Sequence, residues 1–186
     1  LAVVAPDKVS NFGQLYKENC AGCHNGLAVR LDDPMYLAIA GDKSIRDVTA
    51  KGVAGTSMPA FAQKEGGLLT DAQIDVLVKG IRGWAKPPEA TPPPLAATGV
   101  GNPARGKAVY DEFCASCHKT NSIVDGDYLT LVSDRHLRTM VIVGNPAMGA
   151  PDWRGDVPGK PLTDAQVTDV VSWLASQRPK VQGGMQ

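Results

Sequence analysis

The 186-residue chain has no excess of charge of either sign: 19 basic and 19 acidic side chains cancel. A chain so balanced lacks the basic footprint that binds nucleic acid and the polybasic cluster that seeks an anionic membrane surface. No apolar run approaches the ~18 residues of a membrane-spanning helix. The start lacks the pattern of a secretory signal peptide, and its Leu-Ala-Val-Val-Ala-Pro reads equally as the tail of a removed signal or of a trimmed membrane anchor. Aromatic side chains are scarce, with Phe 3, Tyr 4 and Trp 3, and histidine is scarcer still at three. There are only four cysteines. Glycine (20) and proline (14) are plentiful, so much of the chain is expected to be loop.

The four cysteines are all spent on one pentapeptide, written twice: Cys-Ala-Gly-Cys-His at Cys20–His24 and Cys-Ala-Ser-Cys-His at Cys114–His118. C-x-x-C-H is the attachment sequence of c-type haem. Two thiols three positions apart on a turn can reach the two vinyl groups on one porphyrin edge, and the adjoining histidine then meets the iron as the proximal ligand. A Cys₄ zinc site would use both pairs but leaves each histidine without a part, and the pairs stand 94 residues apart. A thioredoxin-like redox pair expects a βαβ setting, whereas the flanks here read as helical. Two haems also leave no thiol over.

The pentapeptide belongs to a longer repeat. Tyr16 and Tyr110 precede the first cysteine of each copy by the same interval; Tyr36–Gly52 matches Tyr128–Gly144; Leu-Thr-Asp-Ala-Gln stands at Leu69–Gln73 and at Leu162–Gln166. Each copy reads as α-helical. Helices are expected over about 10–19, 34–40 and 44–51, with counterparts at 106–113, 127–132 and 134–143. The last helix of each copy opens with a capping box, Thr70 with Gln73 and Thr163 with Gln166. Apolar stripes follow at Ile74, Leu77, Val78 and Ile81, and at Val167, Val170, Val171 and Leu174. Between the copies, Pro87, Pro88, Pro92, Pro93 and Pro94 forbid a helix and favour an extended, semi-stiff spacer. The expected division is therefore residues 1–86, a Pro-rich linker over 87–102, and residues 103–186.

On these motifs, the Thr-Ser-Met-Pro-Ala-Phe loop and the repeated last helix, the chain resembles a tandem dihaem class I cytochrome c over about 12–85 and 104–180. The resemblance implies an all-α fold of two small domains, each wrapped around one covalently bound haem. It further implies His/Met ligation of iron and single-electron transfer in the periplasm or otherwise outside the cytoplasm. Similar modules occur as free shuttles and as subunits of quinol-oxidising or terminal oxidase complexes. A buried haem would supply the apolar core that so few aromatics cannot.

The expected attachment residues are Cys20, Cys23, Cys114 and Cys117, with His24 and His118 on the irons. Met58, in the loop before a capped helix, is the expected sixth ligand of the first haem; Met35 lies on an apolar helix face and reads as packing. The second copy departs from this pattern. Pro59 aligns with Pro151 and Phe61 with Trp153, so Ala150 stands where Met58 does, and alanine cannot bind iron. Met148, two residues upstream beside Gly149, is the expected substitute, with His136, Met140 or an open position as alternatives. Arg46 and Arg138 share a register position and are candidate donors to haem propionates; the competing reading pairs them with Asp42 and Asp134. Trp153 is placed in the loop facing the second haem, near a propionate, while Trp84 and Trp173 read as packing.

The expectation is an electron carrier rather than an enzyme, exchanging electrons with a redox donor and acceptor such as a quinol-oxidising complex or terminal oxidase. The alternative is a haem enzyme or gas-binding module using an open sixth position at the second haem. Dihaem thiosulfate oxidation uses a cysteine ligand, and none is free here; a dihaem peroxidase expects more histidines and a longer chain.

Overall fold

The computed structural model describes residues 6–25, 28–119, 123–155 and 159–179. The readings made on the opening residues 1–5 and on the C-terminal tail from 180 lie outside them. The chain divides into two compact units, Leu1–Pro92 and Pro93–Gln186. Both are helical, as expected, and two isolated bridges are the sole β pairings among the described residues. No described helix is long and apolar enough to cross a membrane.

The first unit contains α1 (Phe12–Asn19), α2 (Ala21–His24), α3 (Pro34–Ile39), α4 (Asp42–Lys51) and α5 (Asp71–Arg82). The second contains α6 (Pro103–Phe113), α7 (Gly126–Leu131), α8 (Asp134–Val143) and α9 (Asp164–Ser176). Helix starts follow from local side-chain chemistry. Asn11 and Asn102 cap α1 and α6 by accepting from Gln14 N (2.9 Å) and Arg105 N (3.0 Å). Asp33 and Asp125 do the same for α3 and α7. Helix α6 starts three residues before the expected position because Pro103, which has no N–H to leave unpaired, suits the first helical turn. Both capping boxes form in full, with Thr70 N to Gln73 Oε1 at 3.0 Å and Thr163 N to Gln166 Oε1 at 2.9 Å.

In each unit the apolar stripe of the last helix is the core. Ile74, Leu77 and Ile81 of α5 are at most 1 % exposed and pack with Leu15, Leu37 and Ile45. Val167, Val170 and Leu174 of α9 are as deeply buried, as are Leu129 and Ile142. The first helix of each copy lies on this last helix through an aromatic contact. Tyr16 meets Trp84 edge-on with centroids 5.0 Å apart, and Tyr110 meets Trp173 at 4.4 Å. The two tryptophans therefore pack on equivalent tyrosines although they do not align in sequence.

The stretch expected as a spacer, 87–102, is divided. Its second part, from Pro93, belongs to the second unit, where Pro93 is buried and Pro94 O accepts from the guanidinium of Arg138.

Candidate haem sites

The two C-x-x-C-H segments close into the same turn. Cys20 N donates to Tyr16 O at the end of α1 (2.8 Å), then Cys23 N and His24 N both reach Cys20 O (3.2 and 3.0 Å). In the second unit Cys114 N donates to Tyr110 O (2.9 Å), and Cys117 N and His118 N reach Cys114 O (3.2 and 3.0 Å). Each turn points one cysteine inward and one outward: Cys20 is buried and Cys114 half-buried, whereas Cys23 and Cys117 are exposed. None is in a disulfide. Burial pushes the Cys20 and Cys114 thiols up to about 11, with the neighbouring cysteine adding to it. His24 Nδ1 lies 2.7 Å from Val29 O. A carbonyl can only accept, so Nδ1 carries the proton and Nε2 keeps a lone pair for a metal; the same contact fixes the ring's orientation.

The loops that follow α4 and α8 share one anchor. Gly52 (φ 67, ψ −166) and Gly144 (φ 69, ψ −167) end these helices in a conformation that side-chain-bearing residues rarely adopt. A Cβ on Gly52 would lie 2.6 Å from both Met58 O and Pro59 C, and one on Gly144 would lie 2.5 Å from Pro151 C. The loops are thus in register in space as in sequence, and Ala150 does stand at the position of Met58.

Beyond the anchor the loops differ. Met58 is half-buried and held on both sides: its carbonyl accepts from Val53 N (3.0 Å) and its N–H donates to Thr56 Oγ1 (3.2 Å). Met148 ends a short 3₁₀ turn, Pro146–Met148, inside a hairpin closed by Asn145 N to Ala150 O (2.9 Å) and Ala150 N to Asn145 O (3.1 Å). Gly149 (φ 78) makes that hairpin possible, and Met148 projects from it with 78 % exposure. His136 and Met140 are half-buried on α8, and burial lowers the pKa of His136. Met35 is buried, in keeping with packing.

Trp153 carries the clearest sign of a missing partner in the second unit. Its ring is 9 % exposed, and its buried Nε1–H has no protein acceptor. Leaving such a donor unsatisfied costs about 1–3 kcal/mol, and a haem propionate has the charge and geometry to accept from it. The aligned residue in the first unit, Phe61, has no such donor. The Cys–His turns, the Nε2 left free on His24 and this orphaned indole together suit a haem in each unit.

Arg46 and Arg138 each pair with a carboxylate of the last helix of their unit. Arg46 pairs with Asp71 (3.1 Å) and with Asp75. Arg138, in the equivalent place, pairs with Asp164 and donates to Thr168 Oγ1 (2.9 Å). These partners are the matching residues of α5 and α9. Asp42 and Asp134, the alternative partners read from sequence, are taken by arginines that the reading passed over. Arg82 pairs with Asp42 (2.8 Å) and donates to Leu37 O (2.6 Å) and Ala40 O (3.1 Å). Arg178 pairs with Asp134 (2.5 Å) and donates to Leu129 O (2.9 Å) and Val132 O (2.8 Å). Each thus clamps the corner ahead of α4 or α8. The signal was present as a basic residue in the last turn of α5 and two residues beyond α9, near the helix end that favours a cation.

The family described as "Cytochrome C oxidase, cbb3-type, subunit III" matches residues 7–79 and again residues 101–174. The chain belongs to this family. It is a c-type cytochrome and an electron carrier, with two cytochrome c-like domains and two c-type haems. It is similar to the "Cbb3-type cytochrome c oxidase subunit CcoP" of Azospirillum sp. (strain B510), 32% identical over 122 residues, which is 55% of this chain and 36% of that protein. The protein of the same description from Azospirillum brasilense is 28% identical over 123 residues, covering 58% of this chain and 38% of its own. The chain therefore spans under two-fifths of the length of these two relatives. "Cytochrome c-555" of Chlorobaculum thiosulfatiphilum is 36% identical over 81 residues, 40% of this chain but 94% of that protein. No solved structure matches.

Proposed function

We propose that the chain relays single electrons between respiratory partners outside the cytoplasm, as the electron-transfer portion of a cbb3-type oxidase rather than as a catalyst. The observation that carries this reading is the identical closure of the two Cys–His turns, each presenting two thiols and a histidine in one register. When bound, each haem supplies a one-electron iron couple whose potential its axial ligands set. The chain's own residues do the rest. Cys20 with Cys23, and Cys114 with Cys117, anchor the two groups. His24 and His118 supply imidazole nitrogens, and Val29 O holds the first ring in place. Met58 and Met148 supply thioether sulfurs from the opposite loops. Trp153 would donate to a propionate of the second haem. Arg46 and Arg138 act on the last helices and the linker rather than on the haem. Each repeat, one before the proline-rich stretch and one after, forms a domain of its own.

The test is haem stoichiometry followed by partner exchange. After acid–acetone extraction, the matured protein should keep two haems per chain by pyridine haemochrome assay, and the Cys114→Ala/Cys117→Ala variant should keep one. Retention of one or none by the unaltered protein would overturn the reading. Added to a cbb3-type oxidase depleted of its own subunit III, the reduced chain should restore oxygen consumption. A chain that reduces small soluble acceptors yet leaves the depleted oxidase inactive is a free shuttle instead.

A further inference from the structure

The α8–α9 face of the second unit holds a segment that the repeat does not account for. Arg138 on α8 has a side chain only 5 % exposed. A buried guanidinium needs a countercharge and acceptors for its five donors. Asp164 supplies the charge and Thr168 one acceptor (2.9 Å), and Pro94 O takes both Nε (3.0 Å) and Nη2 (2.7 Å). In the first unit Arg46 has a second carboxylate, Asp75, where the second unit has Thr168. The Thr168 hydroxyl takes the Nη1 donor that Asp75 takes in the first unit, without its charge, and Pro94 O accepts from Nε and Nη2. Pro94 suits the task, because it lies outside any helix or strand and its carbonyl is free to accept.

Three more contacts continue the line toward α6. The Thr98 hydroxyl donates to Asp164, and Asn102 N donates to Asp169 Oδ1 (2.7 Å). Gly101 is packed so tightly on α9 that a Cβ there would lie 2.6 Å from both Thr168 O and Ser172 Cβ. Asp169, itself buried, is also gripped by Arg105 through both oxygens (2.6 and 3.0 Å). Val76 stands at the matching position of α5, so the first unit cannot build this clasp.

We propose that the α8–α9 face is a docking surface for the chain that leads into the second unit, and that its occupant is this chain's own Pro93–Asn102, strapped down by Arg138, Asp164 and Asp169. Only the stretch before Pro93 then serves as spacer. In polyproline geometry, at about 3.1 Å per residue, the contour over 87–102 would be about 50 Å, and over 87–92 about 19 Å. The strap shortens the tether that joins the two haem units and fixes where it leaves the second.

Hydrogen exchange of the full holoprotein, read by mass spectrometry, tests this. Peptides over 95–102 should exchange at least about tenfold slower than those over 86–92, the equilibrium equivalent of one well-made hydrogen bond. Arg138→Met should bring the two rates together, and Arg138→Lys should recover protection only in part, since lysine lacks the fork that spans Pro94 and Thr168. Should Arg138→Met fail to fold, Thr98→Val removes one anchor from the exposed side and should speed exchange over 95–102 alone. Equal rates over 95–102 and 86–92 in the unaltered protein would overturn the strap. So would an Arg138→Met variant that shifts the second haem's potential while leaving exchange unchanged, which would return Arg138 to the haem.

Discussion

Phe12 on α1 fills the space that any side chain at Gly80 of α5 would need. The second unit solves the same crossing in reverse. Gly106, which aligns with Phe12, is the small partner, and Trp173, which aligns with Gly80, is the large one; a Cβ on Gly106 would lie 2.7 Å from Trp173 Cβ and would run into the Asp169 carbonyl. One large and one small residue satisfy close packing whichever helix carries which. Lys107 completes the second arrangement, its ammonium 5.9 Å from the Trp173 ring.

Gly106→Ala should therefore destabilise the second unit. In an open helix the change would gain about 1 kcal/mol from propensity. Here the obstacle is backbone, and overpacking costs about 1–3 kcal/mol, so the net effect is a loss. Gly80→Ala should cost less, because its obstacle is the Phe12 ring, which can turn aside. Urea melts of the holoprotein followed at the haem absorption bands give both values. A Gly106→Ala protein as stable as the parent would refute the crossing described here.

This crossing also shows where reading the sequence stops. Aligning the copies compares like positions, and it carried the haem turns, the capping boxes and the Met58–Ala150 mismatch, because each is a local pattern in one stretch of chain. The exchange of bulk between Phe12–Gly80 and Gly106–Trp173 is invisible to it, since each pair joins residues far apart in sequence. Arg82 and Arg178 escaped because they lie 96 residues apart while their helices start 93 apart; Arg82 is the last residue of α5, whereas α9 is longer by a residue and Arg178 lies two residues beyond its end. Proline content marks this stretch as free of helix, but composition says nothing of the buried arginine that receives part of it.

Trp153→Phe separates a haem contact from plain packing. If Nε1–H donates to a propionate, its loss leaves that carboxylate's charge less screened, favours the oxidised iron and lowers the potential of the second haem only. Packing alone predicts the opposite pattern: the orphaned donor goes, stability holds or rises, and neither potential moves. Redox titration with the two haems resolved spectrally distinguishes the outcomes.

Acid should weaken the second unit through Asp169 and Asp164. The Arg105 hydrogen bonds above all hold the Asp169 carboxyl below the usual carboxylate range, against the pull of burial. Burial raises Asp164, but hydrogen bonds from Thr98 and Arg138 outweigh it, and the net shift is again downward. A depressed folded-state pKa gives stability that is fully present above the unfolded value, about 4, and is lost as pH falls through the folded one. Asp169→Asn should thus be destabilising at neutral pH and progressively less so below about pH 4. Parallel urea melts of parent and variant across that range measure the closing gap; a gap that stays constant would mean that the carboxylate's charge plays no part.

The two methionines should behave unequally, and the reason lies in their loops. Met58 is half-buried, whereas Met148, although its N–H donates to Asn145 O (2.9 Å), projects with 78 % exposure from a hairpin turned by Gly149. A ligand on an exposed turn leaves the iron more often, because local opening there breaks few contacts. Met58→Ala should abolish the thioether-to-iron charge-transfer band of one haem and lower its potential, since the thioether favours ferrous iron. Met148→Ala should do the same to the other and open it to carbon monoxide. Gly149→Ala keeps the ligand but strains a left-handed position, and should weaken the second haem's band without touching the first. If Met148→Ala changes neither spectrum nor potential, the sixth ligand is another group. His136→Ala is then the next variant, and binding of carbon monoxide by the unaltered protein would shift the second haem from pure electron transfer toward gas chemistry.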